Sequence, residues 1–107
     1  MPDVIDITPG EAKAWLENGD AIMVDVREPC EYEHIHIEGT PLIALSTFSP
    51  ELVPFEKGKK LILQCKSGGR SMMAGQQMIA AGYPEDVYNM MGGIIKWEEE
   101  SFPVVKG

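Results

Sequence analysis

Apolar residues along this chain gather in short runs, each bounded by polar residues, glycine or proline. Val4-Ile5-Asp6-Ile7 alternates with the period of a strand, and Thr8-Pro9-Gly10-Glu11 then supplies an N-cap, a proline at the first helical position and a carboxylate one turn on. That pattern predicts a helix to about Asn18, stopped by Gly19. Ala21-Ile22-Met23-Val24-Asp25-Val26 is a nearly continuous apolar run of strand length, the mark of a strand covered on both faces. Glu28 to His34 reads as a short helical turn opened by Pro29, and Pro41-Leu42-Ile43-Ala44 as another short strand. After an irregular stretch over Ser46 to Val53 and a polar turn at Glu56 to Lys59, a strand runs from Lys60 to Gln64. Met72 to Ala81 carries helix formers ending at Gly82, Val87-Tyr88-Asn89-Met90 forms a fifth strand, and Gly92-Gly93 opens a last helix that stops before Pro103.

Strands alternating with helices predict an α/β fold, with a mostly parallel sheet of five strands covered by helices on both faces. In such sheets ligands sit beyond the carboxyl ends of the strands. Cys65 follows one strand and Arg27 another, so both belong at that end.

Composition narrows the setting. With 107 residues, 44% of them hydrophobic, the chain is expected to form one domain over residues 1–107 with a core that needs no disulfide staples. Cys30 and Cys65 lack metal-ribbon or CxxC spacing and are expected as reduced thiols. The acidic start Met1-Pro2-Asp3-Val4-Ile5-Asp6 does not resemble a signal peptide, and no run approaches the ~20 apolar residues of a membrane span, so a soluble cytoplasmic protein is expected. A net charge of −8 argues against binding to nucleic acid or to an anionic membrane. Against that acidic body, two of only nine basic residues, Lys66 and Arg70, fall within one hexapeptide.

That hexapeptide, Cys65-Lys66-Ser67-Gly68-Gly69-Arg70, carries the chemistry. A cysteine between the end of a strand and the start of a helix faces unpaired loop N–H groups and the positive end of the helix dipole, a field that favours thiolate over the free thiol's pKa of ~8.5. Lys66 and Arg70 add cationic donors, Gly68 and Gly69 permit tight curvature, and Ser67 and Ser71 offer hydroxyl hydrogen bonds. Lys66 can equally serve only to steer anions. Arg27 is open to two roles, a second cationic fork for substrate or a structural ion pair with Asp25 or Glu31. His34 and His36 have the spacing of two strand ligands without a third or fourth, so no metal is expected; no cofactor is called for either. Trp15, Trp97 and the methionines Met72, Met73, Met78, Met90 and Met91 read as core and pocket lining.

Three motifs in order carry a resemblance. Asp25-Val26-Arg27-Glu28-Pro29 with Glu31-Tyr32 and His36-Ile37-Glu38-Gly39, then Cys65-Lys66-Ser67-Gly68-Gly69-Arg70-Ser71, then Gly92-Gly93 with Trp97 and Pro103-Val104, resemble the signatures of the single-domain rhodaneses, the thiosulfate sulfurtransferase-like modules. Ile35, where the family usually has glycine, and Glu38-Gly39-Thr40-Pro41, in place of its proline-glycine-alanine run, are departures that leave the path of that connection unspecified. The resemblance implies a three-layer α/β sandwich. It also implies a sulfurtransferase in which Cys65 accepts a sulfane sulfur from thiosulfate or a related donor and passes it to a thiophilic acceptor, cyanide in vitro or a thiol. Its active loop would comprise Lys66, Ser67, Gly68, Gly69, Arg70 and Ser71, with Arg27 beside it. Partners would be a small-molecule donor and acceptor, with a protein acceptor left open. Competing readings are a persulfide-carrying or regulatory module for a partner enzyme, and a cysteine phosphatase or arsenate reductase, whose loop typically holds one residue more between cysteine and arginine.

Overall fold

A computed structural model describes residues 2–107. Its elements are β1 (Val4–Ile7), α1 (Pro9–Glu17), β2 (Ala21–Asp25), α2 (Pro29–His34), β3 (Ile35–His36), β4 (Lys60–Gln64), α3 (Gly69–Ala80), β5 (Val87–Met90), α4 (Gly93–Glu99) and β6 (Val105–Lys106). Two short 3-10 turns, Leu45–Thr47 and Pro50–Leu52, fill the irregular stretch. The cap read at Thr8 forms a reciprocal box, in which Glu11 N–H donates to Thr8 Oγ1 at 3.1 Å and Thr8 N–H donates to the Glu11 carboxylate at 3.0 Å.

Among the described residues four parallel strands form the central sheet, in the order β1-β5-β4-β2. The remaining predicted strand, Pro41 to Ala44, lies in place beside β2 but is reduced to a single parallel bridge between Leu42 and Asp25. Asp25 N–H donates to Pro41 O and Ile43 N–H to Asp25 O, both at 2.9 Å. Pro41 has no N–H to extend the ladder, and the chain turns into a 3-10 helix at Leu45, so pairing stops after one step. β3 and β6 form a separate antiparallel ribbon.

Period-2 alternation along the strands divides the core. Met23, Ile62 and Met90 pack with Ala12 of α1 and with Ile94 and Trp97 of α4 on one face. Val24, Leu61, Leu63 and Cys65 pack with Ala74 and Met78 of α3 on the other. The result is the three-layer α/β sandwich that the pattern predicts, with the loops that follow β2, β4 and β5 gathered at one end. No helix among the described residues is long and apolar enough to cross a membrane.

Candidate active site

Cys65 leaves the end of β4 with only 1% of its surface exposed. The chain then turns back over the sulfur. Gly68, the N-cap of α3, sits at φ +107°, a left-handed conformation that a side chain would oppose, and from there its N–H donates to Cys65 Sγ at 3.0 Å. Ser71, fully buried in the first turn of α3, brings its hydroxyl to 3.4 Å from the same sulfur. Burial is the largest single influence on the thiol and pushes its pKa up. The Ser71 hydroxyl and the backbone N–H groups of Ser71, Gly68 and Ser67 together outweigh it, and the net direction is down.

The loop has a floor. Ile94 N–H donates to Cys65 O at 2.9 Å and Ile95 N–H to Lys66 O at 3.2 Å, so the first turn of α4 holds the carbonyls on the far side of the loop from the sulfur. Gly93, at φ +55°, is what lets α4 approach so closely, since a Cβ there would collide with Cys65 O.

Arg70 reaches sideways. Its guanidinium grips the Glu31 carboxylate of α2 through two hydrogen bonds of 2.6 and 2.8 Å. Hydrogen bonding from Arg70 holds the Glu31 carboxyl at about 2, well below the ordinary carboxylate range, and the same bonds raise the pKa of Arg70. Arg70 therefore stands beside the site as half of a neutral pair, with its fork committed to Glu31. Lys66 and Ser67 are exposed on the outer rim of the loop.

Arg27 does not offer a second fork to the loop. It is 2% exposed; Nε lies 3.1 Å from both Asp25 carboxylate oxygens, and Nη2 donates to Asp25 Oδ2 at 2.8 Å and to Ile35 O at 2.6 Å. Of its two roles, the geometry takes the ion pair with Asp25, because a buried carboxylate at the end of β2 requires a matched cation. The same guanidinium clamps the chain at Ile35, where the sequence left the path unspecified. His36 stacks on Tyr32 with ring centroids 4.2 Å apart and places Nδ1 2.9 Å from Tyr32 O, whereas His34 is exposed at the end of α2. Cys30 is exposed on the first turn of α2.

One residue of the site went unseen in the sequence and another was given the wrong partner. Asn89, 4% exposed on β5, has its Oδ1 against the Ser71 hydroxyl and donates from Nδ2 to Asp6 Oδ1 of β1 at 3.0 Å. The available signal was an amide in the middle of a buried strand, since such a group is kept only when it has partners. Glu31 was read as a possible partner for Arg27, when its partner is Arg70.

The site is thus a buried cysteine at the carboxyl end of a central strand of a parallel α/β sandwich, with the N–H groups of its own loop turned towards the sulfur. The chain belongs to the Rhodanese-like domain family, whose profile matches residues 8–100. It is 26% identical over 102 residues to thiosulfate sulfurtransferase GlpE of Glaesserella parasuis, covering 95% of this chain and 94% of that protein. It is 34% identical over 100 residues to a probable adenylyltransferase/sulfurtransferase, MoeZ, of Mycobacterium tuberculosis, covering 91% of this chain. The chain spans only 25% of the length of MoeZ and 56% of that of another relative. Among solved structures, a rhodanese-related protein of Thermoplasma volcanium superposes with a TM-score of 0.79 at 28% identity, over 94% of this chain and 97% of that one.

Proposed function

We propose that this chain is a sulfurtransferase that carries a sulfane sulfur as a persulfide on Cys65. The observation that carries the reading is the buried Cys65 sulfur with Gly68 N–H at 3.0 Å and the Ser71 hydroxyl at 3.4 Å. In the first half-reaction the Cys65 thiolate attacks the outer sulfur of thiosulfate or a related donor. A new S–S bond forms, the donor's own S–S bond breaks, and sulfite leaves with the electron pair. The product persulfide is again an anion, which the same N–H groups stabilise. In the second half-reaction a nucleophile such as cyanide or a thiolate takes the terminal sulfur, and the Cys65 thiolate is regenerated. Ser67 contributes its backbone N–H, Gly68 supplies the left-handed turn that aims its own N–H at the sulfur, and Lys66 on the rim attracts anionic donors.

Only four residues separate Cys65 from Arg70, and Arg70 is turned to Glu31. A cradle of that size suits a single transferable sulfur better than a phosphoryl group, which favours sulfur transfer over the phosphatase and arsenate reductase readings. Similarity to a segment of a longer relative named a probable adenylyltransferase/sulfurtransferase supports, as a second reading, a persulfide-carrying module for a partner enzyme. Both require reduced thiols, in keeping with a cytoplasmic setting.

Intact-protein and peptide mass spectrometry after incubation with thiosulfate tests the proposal. The expected result is a gain of one sulfur atom on Cys65 that cyanide removes. A Cys65 thiol that stays unmodified after incubation with thiosulfate and no acceptor overturns it.

A further inference from the structure

The Ser71 hydroxyl has more acceptors than protons. It lies 3.4 Å from Cys65 Sγ and 3.2 Å from Gly68 O, and it makes a short contact with Asn89 Oδ1. One hydroxyl donates one hydrogen bond at a time. Whichever acceptor holds the proton decides how much stabilisation the thiolate receives.

The orientation of Asn89 settles that competition, and Asp6 settles the orientation. An ionised carboxylate only accepts hydrogen bonds, so the Asn89 atom 3.0 Å from Asp6 Oδ1 is the amide nitrogen. The amide oxygen then faces Ser71. Asp6 and Asn89 are cross-strand partners in the β1–β5 register, and Asn89 is 4% exposed, so the amide is held from two sides. With the amide reversed, its NH₂ would donate to Ser71 Oγ and leave the hydroxyl proton to the sulfur.

We propose that Asp6 is a positioning residue for Cys65: by orienting Asn89 it draws the Ser71 proton away from the sulfur and keeps the thiol less acidic than its loop alone would make it. The chain of contacts runs from an exposed carboxylate on the outermost strand to the buried sulfur. The charged groups around Cys65 include Arg70 of α3, Glu31 and Glu28 of α2 beside Arg70, Lys66 on the loop, and the buried Asp25–Arg27 pair at the end of the neighbouring strand β2. None of them touches Asp6 or Asn89, so a change at Asp6 leaves them in place. The inference rests on Cys65 being the reactive group of the proposed function, but it concerns the acidity of the thiol and not the fate of the sulfur.

The test is the pH dependence of Cys65 alkylation by iodoacetamide, in a Cys30→Ser background that removes the exposed thiol. Asp6→Ala, which removes the acceptor for Asn89 Nδ2, is expected to lower the midpoint by about half a unit, which is about a threefold faster reaction below it. Deleting a negative charge would also lower the midpoint through space, and two measurements separate the causes. In an Asn89→Ala background the relay predicts that Asp6→Ala has no further effect. At high salt a through-space effect from an exposed charge collapses, whereas the relay's shift persists. An unchanged midpoint in Asp6→Ala overturns the proposal, as does a shift that salt abolishes or that survives undiminished in Asn89→Ala. Because alkylation needs no sulfur donor, failure of the persulfide assay leaves this result standing and failure here leaves the persulfide assay standing.

Discussion

Glu31 and Arg70, 39 positions apart in the sequence, meet carboxylate to guanidinium at 2.6 and 2.8 Å and tie α2 to the first turn of α3. A cation at a helix N-terminus opposes the dipole, and the carboxylate of Glu31 offsets that cost. The Glu31 carboxyl titrates at about 2 in the folded chain, against an ordinary value of 4.5. A depressed carboxylate pKa contributes stability that is complete above pH 4.5 and is lost as the pH falls towards about 2. The pair is about 30% exposed on each side, so solvent screening reduces its worth to about 1 kcal/mol. Glu31→Gln is expected to lower stability by that amount at neutral pH and to flatten the acid limb of the unfolding curve. Urea denaturation at pH 7 and pH 3 measures both; an acid limb as steep as in the parent chain would show that other carboxylates set it.

Ser71→Ala removes a donor from the sulfur without altering the backbone N–H groups. The midpoint of Cys65 alkylation is expected to rise by less than about one unit, because Asn89 already draws the Ser71 proton away and only part of a hydrogen bond to the anion is lost. A midpoint that does not move would assign the whole effect to the loop backbone.

Cys65→Ser leaves a side chain that neither ionises near neutrality nor forms a persulfide. Transfer from thiosulfate to cyanide is expected to vanish, with circular dichroism and thermal unfolding close to those of the parent chain. Turnover retained in this variant would place the accepting sulfur elsewhere.

Arg27→Ala strands the buried Asp25 carboxylate. The expected loss is about 3 to 5 kcal/mol of stability, the usual cost of leaving one member of a buried pair uncompensated. Arg27→Lys recovers only part, since an ammonium cannot span both carboxylate oxygens and Ile35 O. Chemical denaturation gives the stabilities. A fully stable Arg27→Ala protein whose only defect is weak binding of thiosulfate would restore the substrate-binding role.

Much of this architecture is local and therefore legible. The capping box at Thr8, the apolar runs of β2 and β4 and the turn at Gly82 each announce themselves within a few residues, as does the loop that starts at Cys65. What escaped depends on packing. Pro41 to Ala44 has strand-like composition, and only the geometry at the sheet edge shows it pairing for a single step. Arg27 had two plausible carboxylate partners, and choosing Asp25 over Glu31 requires knowing that α2 leans against α3. Asn89 looked like an ordinary strand residue because its neighbours Asp6 and Ser71 lie 83 and 18 positions away in the chain.

The hydrogen bonds from Ile94 and Ile95 to the carbonyls of Cys65 and Lys66 make the cradle a late product of synthesis. A ribosome that has delivered β4 and α3 has delivered the thiol but not the turn of α4 that fixes its loop. Until α4 joins, the carbonyls of Cys65 and Lys66 lack their donors, and the loop that carries the sulfur is anchored only where it runs into α3.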